Sequence, residues 1–393
     1  MTGEISALGR GLRTGLDTDP TFGSIVPPIY PGTNYAFDGL GDTPRYDYSR
    51  AGNPTRDLLA QAITTLEGGA GAVVTASGLA ALTTVFTSVV GVGGRVVAPH
   101  DCYGGTWRLL NHLADRGTLR VDYVDQTNPD ELAAALASPA DLLLIETPSN
   151  PLLRLVDLAA AINQARQAGV PTAVDNTFCS PVRQRPLDYG ADLVVHSTTK
   201  FINGHSDVVG GAVVAATEVR AEQLVHWANV LGLTGGALDS WLTLRGLRTL
   251  DARVRVHDAN AAELVDLLTS HPAVSAVHYP GLPDHQGHQI AARQQSGFGS
   301  MISFELAGGY SAAAAFCRGL RLFNLAESLG GVESLVAHPA SMTHAAMTPQ
   351  AQLAAGITPA LLRLSVGIEP VADLQADVRD GLDRALASRP VAD

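Results

Sequence analysis

Apolar positions follow two rhythms in this chain. Helical spacing begins near Pro54, a residue type favoured in the first turn of a helix. From there to about residue 255, short unbroken apolar runs alternate with helically spaced stretches. The runs are Ala72–Thr75, Arg95–Ala98, Val121–Val124, Leu142–Ile145, Thr172–Val174, Leu193–Val195 and Ala212–Ala215. Runs of this kind, bounded by Gly, Pro and small polar residues, predict strands buried on both faces. The stretches between them, such as Leu79–Val90, Pro129–Ala137 and Asp157–Ala168, predict helices. The alternation predicts an α/β unit around a mainly parallel sheet.

On either side the rhythm changes. Residues 1 to about 60 are rich in Gly, Pro and Tyr and show little periodicity, which predicts an extended arm that packs on something other than itself. From about residue 240 to 270 one longer helical pattern runs through Leu244, Leu247, Val254, Leu264 and Leu268. Strands are predicted near Val274–Tyr279, Met301–Leu306 and Leu362–Val366, with helices around Ser311–Arg318 and Asp373–Ala387. The predicted organisation is an arm over residues 1–60, a large α/β unit over 61–255 and a smaller α+β unit over 256–393.

Open α/β sheets collect functional residues at the carboxyl ends of their strands. Four predicted strand ends here carry polar clusters: Thr75-Ala76-Ser77-Gly78, Glu146-Thr147-Pro148-Ser149-Asn150, Asp175-Asn176, and His196-Ser197-Thr198-Thr199-Lys200.

Composition narrows the function classes. The 393 residues are 46% hydrophobic and 16% charged, a chain with ample apolar surface to bury. A net charge of −12 argues against a nucleic-acid partner, which needs clustered positive charge. The N-terminus lacks a basic region followed by an apolar run, and no apolar stretch approaches the roughly 20 residues of a membrane span. Cys102, Cys179 and Cys317 are odd in number, far apart and without CxxC spacing, so neither a disulfide framework nor a zinc knot is indicated. The expected location is the cytoplasm.

The basic residues are 25 Arg and one Lys, Lys200. Arg replaces Lys freely on a solvated surface, but a guanidinium cannot form an imine with an aldehyde. The one remaining lysine is therefore a candidate catalytic amine, against the alternative of a chance surface lysine. Its neighbours Ser197 and Thr199 could bind a phosphate while the amine reaches the same ligand's aldehyde, although an ordinary Ser/Thr loop reads the same way. Ser77-Gly78-Leu79 opens a helical pattern and presents backbone N–H groups to an anion, or is a simple helix cap. Asp175, 25 residues before Lys200, could pair with a protonated pyridine nitrogen and keep a cofactor ring an electron sink. It could equally cap a turn. Tyr103 could stack on that ring and take a proton from a substrate amine, or simply pack in its glycine turn. Arg363 stands in an otherwise apolar strand. Its fork suits a carboxylate, either a substrate's or that of a structural ion pair.

Other chemistries find less support. His285 and His288 lack an evident third ligand, so no metal site is expected. The runs Gly68-Gly69-Ala70-Gly71 and Gly91-Val92-Gly93-Gly94 do not form GxGxxG after a strand, and no GxxxxGK[ST] occurs.

Taken together, the motifs resemble the Cys/Met-metabolism family of fold-type-I pyridoxal phosphate (PLP) enzymes. The stretches that carry the resemblance are Asp47-Tyr48-Ser49-Arg50 with Gly52-Asn53-Pro54-Thr55-Arg56, and Glu146-Thr147-Pro148-Ser149-Asn150-Pro151. Val174-Asp175-Asn176-Thr177-Phe178 and His196-Ser197-Thr198-Thr199-Lys200 with Asn203-Gly204-His205-Ser206-Asp207 complete them. The resemblance implies that Lys200 carries PLP as a Schiff base and moves protons, that Asp175 pairs with the pyridine nitrogen, and that Tyr103 stacks on the ring. Gly78, Leu79, Ser197 and Thr199 would hold the phosphate, and Tyr48 and Arg50 would reach the phosphate of a neighbouring subunit's cofactor. That last role makes a dimer the minimal active unit, and the family's usual assembly is a homotetramer. Arg363, with Asn150 and Ser328, would hold the substrate carboxylate.

Three positions bear on subclass. Gly105 stands where methionine γ-lyases carry a Cys, and Glu327 matches cystathionine γ-synthases and γ-lyases, where an acid would recognise an amino group of cysteine or cystathionine. Ala51 stands where some synthases carry a second Arg that is thought to meet a succinyl group, and Arg108 is a candidate substitute. The resemblance thus implies γ-replacement on an O-acylhomoserine, with succinyl the expected acyl group, by L-cysteine to give L-cystathionine. The alternatives are γ-elimination from cystathionine, or γ-replacement with another nucleophile.

Overall fold

Asn53 and Pro54 show how local chemistry starts an element. The Asn53 side chain accepts from the N–H groups of Thr55 and Arg56, Pro54 fits the first turn, and the helix Pro54–Glu67 begins there. Its buried stripe is Leu59, Ala62, Ile63 and Leu66, and it stops at Gly68, whose φ of 77° is left-handed.

The computed structural model describes residues 5–388. Among these, twelve strands form two sheets. They are β1 (Gly71–Thr75), β2 (Gly94–Pro99), β3 (Leu119–Val124), β4 (Leu142–Glu146), β5 (Thr172–Asp175), β6 (Leu193–His196), β7 (Gly211–Ala215), β8 (Val274–His278), β9 (Met301–Leu306), β10 (Asn324–Leu325), β11 (Leu335–Ala337) and β12 (Leu361–Ser365). The seven-stranded sheet runs β1-β7-β6-β5-β4-β2-β3 and the five-stranded sheet β10-β11-β12-β9-β8. β5 and β6 are parallel, with Asp175 opposite Val195. β7 lies antiparallel between β1 and β6. The class is α/β, as the run pattern predicts.

The chain divides into two compact units, each made of three segments. The first is Met1–Val96, Pro139–Leu144 and Ile162–Leu250; the second is Val97–Ser138, Ile145–Ala161 and Asp251–Asp393. In the first, β6 and β7 are wholly buried, which explains their lack of alternation. In the second, Leu264 and Leu268 pack with Ile302, Phe304, Phe316, Leu362, Leu364 and Val378, and Phe304 meets Phe316 edge-on at 5.3 Å.

Two expectations are corrected. The arm is not wholly extended: residues Ala7–Leu12 form a helix capped by Ser6. It packs on its own chain through Gly11, where a Cβ would fall 2.6 Å from the Leu66 side chain. The long pattern of residues 240–270 is two helices, Ala237–Leu247 and Leu250–Ser270. Thr249 turns both its N–H (3.1 Å) and its hydroxyl (3.0 Å) back on the Gly246 carbonyl, a local bond that competes with helix continuation.

His257, in the second of those helices, lies 2.7 Å through Nδ1 from the Val366 carbonyl. Burial, reinforced by Arg253, pushes its pKa down to about 4. A His depressed in this way stays neutral in the fold while the unfolded chain takes up a proton near pH 6.5. Stability is therefore full above that pH and falls as the pH drops towards 4. Urea titrations at pH 7 and pH 5 should show this loss, up to ~2 kcal/mol for this group. His257→Asn should show a smaller pH dependence; an unchanged dependence would place the acid sensitivity elsewhere.

Candidate active site

The proposed cofactor residues other than Tyr103 lie in the first unit. Asp175 ends β5, and its Oδ1 accepts from the Thr177 N–H at 3.0 Å. Burial raises its pKa above the ordinary carboxylate range, opposed by the hydrogen bonds from Thr177 and by His196. Thr177 also ties the neighbouring strand end, because its hydroxyl accepts from the Ser197 N–H at 2.9 Å. From Ser197 the chain coils tightly. Lys200 N donates to Ser197 O at 3.2 Å and Gly204 N to Lys200 O at 2.8 Å, which leaves the Lys200 side chain half-buried. Thr199 Oγ1 is anchored on Gly210, accepting from its N–H at 2.9 Å and donating to its carbonyl at 3.1 Å.

Opposite this turn, Ser77 caps the helix Gly78–Val89, its Oγ accepting from the Ala80 N–H at 3.1 Å. A Cβ at Gly78 would stand 2.9 Å from Ser197 Cβ, so the helix N-terminus and the lysine turn are in direct apposition. The first N–H groups of a helix have no intrahelical acceptor and attract anions. A carboxyl raised by burial, an amine and an anion-seeking helix start fit a phosphorylated pyridine aldehyde. Gly78→Ala should raise the dissociation constant for PLP by roughly 10-fold or more, since about 1.4 kcal/mol of lost phosphate contact suffices. Equilibrium dialysis checks this, and retained wild-type affinity would remove Gly78 from the phosphate site.

Tyr48 and Arg50 are exposed on the arm. The Arg50 guanidinium stacks 5.3 Å from the Tyr48 ring centroid and its Nε donates to Asn229 Oδ1 at 3.0 Å.

The second unit holds the other group. Arg363, in the middle of β12, is 2% exposed. It donates to Asn150 Oδ1 at 2.7 Å and to the Ser328 carbonyl at 2.8 Å, while its Nε is buried without a hydrogen bond. Both acceptors are neutral, so the structural ion pair weighed from the sequence is not what these bonds form. Burial lowers the guanidinium pKa to about 10, with Tyr103 and Glu327 acting the other way. Ser328 has a φ of 83° and serves Arg363 through its backbone.

Tyr103 precedes the helix Gly104–Asp115, and its N–H donates to Glu146 Oε2 at 2.9 Å. Partial burial raises its phenol pKa, Glu327 adds to the rise, and Arg108 opposes it. A Cβ at Gly105 would fall 2.4 Å from the Tyr103 ring, so the absence of a side chain at 105 sets where that ring lies. Tyr103 is thus within electrostatic range of Arg108, Glu327 and Arg363, and Arg363 is within range of Glu327.

His344, not singled out by the sequence pattern, lies 2.9 Å through Nε2 from the Asn150 carbonyl. Burial and Arg363 push its pKa down to about 4, so it braces the Asn150 loop as a neutral ring. His285 lies beside His278 and His288. Among the described residues no group of three or more His, Cys, Asp or Glu side chains is arranged to hold a metal ion, and no helix is long and apolar enough to cross a membrane.

Comparison with known proteins extends this picture over the whole chain. The family model for Cys/Met metabolism PLP-dependent enzymes matches residues 10–383. The cystathionine gamma-synthase of Escherichia coli (strain K12) is 52% identical over 374 residues, covering 95% of this chain and 97% of that protein. The structure of cystathionine gamma synthase from Xanthomonas oryzae pv. oryzae in complex with aminoacrylate and cysteine superposes with a TM-score of 0.97 at 57% identity, covering 98% of this chain and all of that one (100%). The cystathionine gamma-lyase of Bacillus subtilis (strain 168) is 42% identical, covering 95% of this chain and 98% of that protein. With the family model spanning nearly its full length, the chain belongs to the Cys/Met metabolism family of PLP-dependent enzymes.

Proposed function

We propose that this enzyme catalyses γ-replacement: an O-acylhomoserine, with succinyl as the expected acyl group, reacts with L-cysteine to give L-cystathionine and the free acid. The observation that carries the reading is Arg363, a buried cation bonded only to neutral acceptors and within electrostatic range of Glu327 and Tyr103. Such a group receives an α-carboxylate, and the acid beside it suits an amino group. Identities of 52% and 57% to cystathionine γ-synthases support the same reaction.

PLP, when bound, supplies the electron sink. Lys200 holds it and moves protons at the substrate's Cα and Cβ, so that the acylate leaves from Cγ and the cysteine Sγ adds there. Asp175 would face the pyridine nitrogen, and Tyr103 would stack on the ring with its phenol as a hydrogen-bonding partner for the substrate amine. Gly78, Leu79, Ser197 and Thr199 hold the phosphate. Arg363, fixed by Asn150 and Ser328, orients the carboxylate, and Arg108 is the candidate partner of the acyl carboxylate, since Ala51 offers none. Tyr48 and Arg50 reach a neighbouring subunit's phosphate in a homotetramer, in keeping with the exposed apolar residues Phe22, Ile25, Phe37 and Leu40 on the arm. A cytoplasmic location belongs to the same proposal and accords with three free cysteines.

Product analysis with succinyl, acetyl and phosphoryl homoserine, each with and without cysteine, tests this reading. Cystathionine formed from the succinyl ester with release of succinate is the expected result. Keto acid and ammonia from cystathionine, with no γ-replacement, would instead support the lyase reading that the Bacillus subtilis relative favours.

A further inference from the structure

Glu67 and His196 take no part in the chemistry above. Glu67 ends its helix, His196 ends β6, and both are 0% exposed. His196 Nε2 lies 2.6 Å from Glu67 Oε1, and the same oxygen accepts from Asn176 Nδ2 at 2.9 Å. Asn176 is locked further by Gln184, whose carbonyl accepts from Asn176 Nδ2 at 2.7 Å and whose Nε2 donates to Asn176 Oδ1 at 3.0 Å. A carboxyl group buried this fully needs hydrogen-bond partners, and the imidazole and the Asn176 amide lie against the same oxygen.

The location of this cluster gives it meaning. Asp175 is opposite Val195 in the parallel ladder, and Asn176 N continues the ladder to Val195 O at 3.0 Å. Asn176 and His196 are therefore the next residue on each strand. Successive strand residues turn to opposite faces. The Glu67 clamp thus grips the strand ends from the face opposite the one towards which Asp175 turns. His196 also acts on Asp175 through space, in the sense that favours its carboxylate form.

We propose that Glu67 is a positioning residue for the cofactor: through His196 and Asn176 it fixes the strand end that aims Asp175, and so governs how tightly and in what orientation the pyridine ring is held. The proposal rests on the role given above to Asp175.

The test uses the full-length enzyme with PLP, reading the cofactor's dissociation constant and the visible circular dichroism of the bound ring. Glu67→Gln should weaken PLP binding by roughly 10- to 100-fold, the usual cost of removing an outer-layer partner, and alter the dichroism. In an Asp175→Asn background the same substitution should change affinity less than about twofold, because the group it aims is gone. An equal loss in both backgrounds, or wild-type affinity and dichroism in Glu67→Gln, overturns the proposal. Should Glu67→Gln not fold, His196→Gln takes its place with the same expected and overturning results. Asp175→Asn alone separates the two ideas. Unchanged affinity there sinks the role of Asp175, whereas a large loss there beside a neutral Glu67→Gln sinks only the positioning role.

Discussion

Lys200→Arg should fold normally, show no borohydride-trapped PLP on any side chain, and lose roughly 10³- to 10⁴-fold in turnover. The chain has no second lysine, so no other side-chain amine can stand in. Arginine keeps the positive charge and much of the length, which isolates the loss of a deprotonatable amine. The turn it would occupy is held by backbone bonds from Lys200 N to Ser197 O and from Gly204 N to Lys200 O, which the substitution leaves in place. Mass spectrometry after reduction would then find label on the N-terminal amine alone, if anywhere. Retained turnover, or a trapped adduct elsewhere in the chain, would end the case for Lys200 as the Schiff-base residue.

Arg363→Met should lower kcat/KM by about 10²- to 10³-fold, as expected when a buried charge-assisted fork to a carboxylate is lost. Its effect on stability should be small. Removing the guanidinium strands the Asn150 Oδ1 and Ser328 carbonyl acceptors, at about 1–3 kcal/mol each. Against that, the variant no longer buries a cation whose hydrogen-bond partners are all neutral, a penalty of several kcal/mol in its own right. The two effects oppose each other, so the thermal midpoint should stay within a few degrees of wild type while the specificity constant collapses. A midpoint that falls steeply together with activity would mark Arg363 as a structural residue.

Particular residues show how much is legible in the sequence. Strand ends are readable because a buried strand needs an unbroken apolar run, and a polar residue closes it: Asp175, His196 and Glu146 each end such a run. Strand order is not readable. Nothing in Ala212–Ala215 tells that β7 lies antiparallel between β1 and β6, since that is decided by pairing between distant segments. Asn324–Leu325 escapes notice because two exposed residues carry no period. The break at Thr249 is masked by an apolar pattern that stays in phase across it.

Within the candidate site, Lys200 stands out by rarity and Arg363 by contrast with its apolar strand. Glu67 does neither. Its only signal is a carboxylate at the end of an apolar helix face, immediately before the terminating Gly68, and such a residue reads as solvated until His196 is seen against it. His344 is equally silent, because its partner is a backbone carbonyl almost two hundred positions away.

The division of the chain into interleaved segments sets an order of manufacture. Every residue assigned to the cofactor has left the ribosome's catalytic centre once Lys200 is made, and the first unit's last segment ends at Leu250. The second unit is begun early, at Val97, yet lacks β12 until the final tenth of the polypeptide appears. A message cut short anywhere between those points encodes the proposed Schiff-base lysine and phosphate site without Arg363, the proposed receptor of the substrate carboxylate.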